Sequence, residues 1–447
     1  MKLSQVAQIL KAKLIGSDCN FTSLSTDSRA IRAGELFIAL VGAKFDGHDF
    51  IRDVAMHGAA GAIVNRRLLT DIPQIIVPDT IRALGMLGKW KREQVNVPLI
   101  AVTGSCGKTT TRAMLASILG EIGHTLASAK SFNNEIGVPL TLLQLEKHHR
   151  FGVIEIGANH FGEINYLVNL VRPQVTLITN AAPAHLEGFH SLDGVACAKG
   201  EILRGLSNDG IAVLNADDVY YPYWQHLAEP HPLVTFGVKN NATVTLKDLQ
   251  LNQDHCASFN LCFPETSIFV ELPLLGLHNA INALGAAAAA YALGVDTAAI
   301  KAGLEQVVAV NRRLNNYRGF AGATIIDDSY NANPASVSAA LEILARDQRK
   351  KVFVFGEMLE LGAETEKWHE HIGRQARDLN IDCLYVYGKS APIVAKAFGP
   401  NAYVFDNHAQ LVNTLKPVLD SNTTVLIKGS LGSAMYLVVE ALKVMND

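Results

Sequence analysis

Long hydrophobic runs are missing from this chain of 447 residues: even the Ala-rich segment 283–294 falls short of the roughly 20 apolar residues that cross a bilayer. Paired cysteines are missing as well. Cys19, Cys106, Cys197, Cys256, Cys262 and Cys383 include no C-x-x-C pair, which speaks against a disulfide framework or a zinc site and for a reducing compartment. Excess charge of one sign is absent, since 39 Lys and Arg stand against 42 Asp and Glu for a net charge of −3. That balance leaves no electrostatic footprint for nucleic acid or an anionic membrane. The opening MKLSQVAQILKAKLIG has neither a signal-peptide core nor a small-residue cleavage site. We therefore expect a cytoplasmic monomer that acts on small molecules, without membrane insertion. With 49% hydrophobic and 18% charged residues, the composition is that of a globular protein with large buried sheets.

The length exceeds what one hydrophobic core organises, and a prior of about 100 to 200 residues per domain points to several. Three are expected: a small α/β domain over 1–85, a central α/β domain over 86–311, and a C-terminal doubly wound domain over 312–447. In the central block LIAVTG, FGVIEIG, QVTLITN and GIAVLNAD alternate with helical segments near 110–123, 163–171 and 194–206, the pattern of a mostly parallel sheet covered on both faces. PLVTFGV, ATVTLKDLQL, ASFNLCF and SIFVELPL read as β-hairpins, and helices follow near 278–293 and 297–308. ATIIDDSY, KVFVFGEM, CLYVYG, NAYVFD and TVLIKGS repeat the strand and helix alternation in the third block.

The richest stretch is LIAVTGSCGKTTTR, where an apolar strand runs into a glycine loop and a helix start. Loop N–H groups from Gly104, Ser105, Cys106 and Gly107 can wrap phosphate oxygens, Lys108 can bridge the outer phosphates, and Thr109, followed by Thr110, can ligate Mg²⁺. A nucleoside triphosphate is the expected ligand. Only two residues separate Gly104 from Gly107, so the loop is a shortened form of the usual pattern. Ligands of open parallel sheets sit beyond the carboxyl ends of strands, and Gly104, Glu155, Asn180 and Asn215 all lie at such ends.

Glu155 interrupts an apolar strand, where a carboxylate needs a compensating charge; magnesium is the better reading, with an arginine partner or a helix cap as the alternative. His185 belongs either to a second metal or phosphate contact or to the loop's own structure. Asp327 and Asp328 end a strand and suit ribose hydroxyls or helix capping equally. Arg313, at a block boundary, can deliver a cation to phosphate or form a linker salt bridge. Lys199 by its local context is an ordinary helix lysine.

TGSCGKTT, SFNNEIGVPLTLL, VIEIGANHFGEI, NAAPAHLEGF, AKGEI, LGLHNAINALGAAA, DDSYNANP, GEMLELG and IKGS occur in the order found in Mur ligases, and the chain resembles that family over almost its whole length. The resemblance is strongest to the branch that joins D-alanyl-D-alanine to a UDP-N-acetylmuramoyl-tripeptide through an acyl phosphate, giving a peptidoglycan precursor. It implies ATP and a pair of Mg²⁺ ions as cofactors. Lys108, Lys199 and His185 would then be catalytic, with Thr109, Glu155, His185 and an N6-carboxylated Lys199 around metal. Asn279 and Asn282 would lie on the adenine side, and Arg313 and Asp328 would face phosphate and ribose. Ser28, Arg29, Lys44, Asp46, Gly47 and His48 resemble the UDP-sugar end, Asn133, Asn134 and Glu135 the segment near the muramyl substrate. Tyr330, Asn331 and Asn333 fall in the substrate loop of the third block.

Overall fold

A computed structural model of the chain describes residues 1–42, 45–129, 132–253 and 255–444. Four sheets succeed one another along it. The first runs Lys13–Ile15, Gln74–Ile76, Gly61–Val64, Leu36–Ile38, Leu24–Ser25 across its width, parallel except for its Lys13–Ile15 edge. Leu36, Ile38, Ile63 and Ile75 pack beneath helix Leu3–Ile9 and the long helix Thr80–Gln94, whose N-terminus Asp79 caps through bonds from Ile81 and Arg82 N–H.

The central sheet is wholly parallel, in the order Leu233–Phe236, Ile211–Asn215, Val175–Ile178, Leu99–Thr103, Phe151–Glu155, Thr125–Ala127. Its inner strands are buried on both faces, which explains their unbroken apolar runs. The segment PLVTFGV departs from the hairpin expected of it: Leu233 pairs in parallel with Ala212, because helix Tyr221–Ala228 carries the chain back across the sheet. The hairpin pattern holds for the remaining strands, Thr245–Leu251, Cys256–Cys262 and Ser267–Leu275, which form an antiparallel meander.

Helix Lys108–Gly120 follows the central strand Leu99–Thr103 and turns Met114, Leu115, Ile118 and Leu119 into the core. The Ala-rich helix Leu277–Ala292 lies against it, and helix Thr297–Glu305 comes so close that a Cβ on Gly303 would stand 2.3 Å from Ile118 Cα. Small residues here let backbones meet near the C-terminal end of Lys108–Gly120 and fix that helix against its neighbours.

The last sheet runs Asn315–Arg318, Thr324–Asp328, Thr423–Lys428, Lys350–Phe355, Cys383–Tyr387, Ala402–Phe405, parallel but for its first strand. The chain enters it through Arg312 and Leu314, both with left-handed φ, at 61° and 53°. Among the described residues no helix is long and apolar enough to cross a membrane, and the six cysteines form no disulfide.

Candidate active site between two sheets

The glycine loop is built as its sequence requires. Gly107 has φ +82°, and a Cβ there would lie 2.2 Å from Asn282 Oδ1, so both the turn and the neighbouring helix demand glycine. Asn180, at the end of the adjacent strand, accepts from Ser105 N–H through its carbonyl (3.0 Å) and from Cys106 N–H through Oδ1 (2.9 Å). Asn215 donates from Nδ2 to Thr179 O, so the strand-end residues brace one another. Lys108 Nζ turns back onto the carbonyls of Gly104 (2.5 Å) and Ser105 (3.3 Å), the position from which an outer phosphate would draw it. Burial holds the Lys108 amine below its ordinary pKa, opposed by the charge of Glu155.

A cavity of about 650 Å³ opens over this loop. Ser105, Cys106, Gly107, Lys108, Thr109 and Thr110 form its floor, Asn279 and Asn282 one wall, and Arg313, Asp328, Asn331 and Asn333 the wall from the C-terminal sheet; His185 lies at its edge. The two asparagines are linked, Asn282 Nδ2 donating to Asn279 Oδ1 at 2.8 Å. Three contacts close the cleft from the C-terminal side. Arg313 Nη2 donates to Thr109 Oγ1 at 3.3 Å, Asn333 Nδ2 lies 3.2 Å from Cys106 Sγ, and Glu360 Oε2 stands 2.5 Å from His185 Nδ1. Arg313 also stacks its guanidinium 4.5 Å over the Tyr330 ring. His185 beside it keeps the Glu360 carboxyl below its ordinary pKa.

Asp328 is buried against Lys428, whose ammonium donates to it and to Asn331 O. Of the two readings of Glu155, the arginine partner is present: Arg112 Nε is 3.6 Å from Oε2, while Asn133 Nδ2 donates to Oε1 at 2.9 Å. Asn133 therefore sits with the central carboxylate. Asn134 Oδ1 accepts from Gly137 N–H and shapes the helix start, with half-buried Glu135 beside it. Lys199 is 1% exposed and its Nζ has no hydrogen-bond partner among the described residues; it lies 5.3 Å above the Phe189 ring. Burial, then the charge of Lys108, lowers this amine to about 7. Such a lysine is not the solvated helix residue of its local context.

Of the residues matched to the UDP-sugar end, Ser28, Arg29, Asp46, Gly47 and His48 stand outside the cavity lining. Arg29 pairs with Asp27 at 2.8 Å, and Ser28 lies beside it. His48 is buried with both ring nitrogens engaged, Nδ1 by Asp46 at 2.5 Å and Nε2 by Asn65 N–H at 3.0 Å; Gly47 lies tight against Leu40. Lys44 lies outside the described residues.

Among the described residues no cluster of three His, Cys, Asp or Glu side chains converges as a preformed metal cage. Two observations nevertheless fit a magnesium ion shared with phosphates: the buried Glu155 Oε2, which accepts no hydrogen bond, and the Thr109 hydroxyl on the cavity floor. Arg112, Glu360 and Lys428 are functional candidates that the sequence alone did not single out. Arg112 carried a signal, being one turn beyond Lys108 on the same helix face.

Residues 20–87 match the Mur ligase family catalytic domain, 102–290 the Mur ligase middle domain, and 312–431 the Mur ligase glutamate ligase domain. Across 99% of the chain and 98% of the relative, it is 42% identical to the UDP-N-acetylmuramoyl-tripeptide–D-alanyl-D-alanine ligase of Escherichia coli K12. The chain belongs to the Mur ligase family. This Mur ligase superposes on MurF from Acinetobacter baumannii with a TM-score of 0.92 at 36% identity, covering 98% of this chain and 97% of that one. MurF of Thermotoga maritima, solved in complex with ADP, gives a TM-score of 0.82 at 26% identity, covering 94% and 96%.

Proposed function

We propose that this Mur ligase joins D-alanyl-D-alanine to UDP-N-acetylmuramoyl-tripeptide with conversion of ATP to ADP and phosphate. The observation that carries this reading is the phosphate loop at the floor of a cleft whose far wall comes from a different sheet. A reaction with an activated carboxyl and an incoming amine needs such a cleft, which aligns both and excludes water. The names of the whole-length relatives supply the substrates, and the ADP complex of a structural neighbour supports the nucleotide. The domain division 1–85, 86–311 and 312–447 would then separate UDP-substrate binding, ATP binding and amine delivery.

In this reading the tripeptide carboxylate attacks the γ-phosphorus of ATP and ADP leaves. The dipeptide amine then attacks the acyl carbon of the mixed anhydride, phosphate departs, and the amine loses its proton. Lys108 neutralises charge on the transferring phosphoryl group, and Arg313 approaches the same oxygens from the opposite wall. Thr109 and Glu155 would hold magnesium, with His185 at the edge for a second ion; bound there, the metal supplies Lewis-acid stabilisation of phosphate charge. Lys199, whose amine titrates near physiological pH, can add CO₂ at Nζ with release of a proton to become an anionic carbamate. The UDP end falls to Ser28, Arg29, Lys44, Asp46, Gly47 and His48, the muramyl end to Asn133, Asn134 and Glu135, the amine side to Tyr330, Asn331 and Asn333. Adenine falls to Asn279 and Asn282, ribose to Asp328.

Phosphate release should require ATP, the UDP-tripeptide and the dipeptide together, and Lys108→Ala should lower it by about a hundredfold or more while UDP-tripeptide still binds. Turnover with a single amino acid in place of the dipeptide would sink the substrate assignment.

A further inference from the structure

Glu155 and Arg112 each bury a polar atom that no hydrogen bond satisfies, Oε2 and Nε, and these two atoms face one another at 3.6 Å. The separation is too long for a hydrogen bond and short enough for strong attraction in a site from which water is largely excluded. Arg112 is 8% exposed and Glu155 1%. Lys108 and Arg112 both feel the carboxylate's charge, and Arg313 opposes both of them. The centre thus surrounds one carboxylate with fixed cations. A free dication meets net repulsion there, while a polyphosphate meets attraction.

We infer that Arg112 is a positioning residue that occupies Glu155 until nucleotide arrives, so that the divalent ion loads with the nucleotide or after it and not before. This rests on the reading of Glu155 as a metal-holding carboxylate. Phosphate oxygens held at Lys108 and Arg313, both of which line the cavity, would reverse the local charge, drawing on the Arg112 guanidinium and loosening its hold on Glu155 Oε2 so that the ion can take that oxygen. The loose 3.6 Å pairing suits such an exchange better than a saturated bidentate bridge, which would hold both groups in place.

Mn²⁺ binding followed by electron paramagnetic resonance tests the order. The wild-type protein should bind ADP in EDTA, and should bind Mn²⁺ at least tenfold more tightly with ADP present than without it. Arg112→Met should raise the Mn²⁺ affinity of the nucleotide-free protein at least tenfold, and Arg112→Lys should stay near wild type. Adding Glu155→Gln to Arg112→Met should abolish the gain while restoring the thermal stability lost on leaving a buried carboxylate unpaired. That combination separates a metal effect from a folding defect. Unchanged nucleotide-free Mn²⁺ affinity in a folded Arg112→Met protein overturns the inference, as does wild-type protein that binds Mn²⁺ equally well with and without ADP. Failure of wild-type protein to bind Mn²⁺ even with ADP would instead overturn the metal reading of Glu155.

Discussion

At the residue scale the pairing of Lys428 with Asp328 carries a sharp energetic consequence. Both are buried, Lys428 at 2% exposure, and Lys428 Nζ also bonds Asn331 O at 3.0 Å. Removing one partner leaves a charge with neither water nor counter-ion, which costs about 3–5 kcal/mol. Lys428→Met should therefore lose about that much in urea unfolding, and adding Asp328→Asn should recover most of it; equal losses in single and double variants would disprove the coupling. The sequence displayed the glycine loop and Lys108 because a phosphate cradle is a local object, written in adjacent residues. Glu155 stood out as a carboxylate in an apolar strand, but whether its partner was a metal or an arginine depended on which face of Lys108–Gly120 met the strand. Glu360 meets His185 only because two sheets dock, and adjacency in sequence holds no record of that.

At the element scale, the end of helix Pro334–Arg346 is tied to the sheet beneath it by one carboxylate. Asp347 accepts from Arg349 Nε (3.0 Å), Nη2 (2.7 Å) and N–H (2.9 Å), and from Thr424 Oγ1 (2.8 Å), while Arg349 Nη1 reaches Thr324 Oγ1 (2.6 Å). Burial pushes the Asp347 pKa up, but these bonds outweigh it and bring the group from 3.8 down to about 2. A lowered carboxyl pKa means stability present in full above the unfolded value and lost as pH falls through the folded one. With solvent screening of the half-exposed Arg349 partner taken into account, Asp347→Asn should cost about 1–2 kcal/mol at pH 7, with the gap to wild type closing as pH falls from about 4 to 2. A gap constant over that range in denaturant melts would refute the linkage. Strands and helices of the central and third blocks were legible because apolar runs and periodicity are local, while the two- to four-residue strands of the first block are too short to show either. Leu233–Phe236 misled because a short strand before a meander reads the same whether its partner precedes or follows it.

For the whole molecule, the cleft between the central and C-terminal sheets is held by contacts that can be trapped. Cys106 Sγ lies 3.3 Å from Asn333 Oδ1. In an Asn333→Cys variant, mild oxidation should join the introduced thiol to Cys106 in an intramolecular disulfide that stops turnover, and dithiothreitol should restore it. Oxidised protein that keeps full activity would show that the cleft has no need to open. The length pointed to several domains, but the contacts that join the central and C-terminal sheets, Arg313 to Thr109 and Asn333 to Cys106, pair residues more than 200 positions apart and leave no trace in the local sequence.

The backbone of Arg313 lies between left-handed Arg312 and Leu314, conformations that cost a non-glycine residue about 1–2 kcal/mol each, while its guanidinium touches Thr109 on the phosphate loop. If Arg313 meets phosphate as proposed, joint and ligand contact are parts of a single residue. Occupancy and interdomain angle become conjugate variables: a ligand that favours one angle is favoured by it to the same extent. A compound that merely props the joint at another angle should weaken nucleotide affinity without ever entering the nucleotide's place.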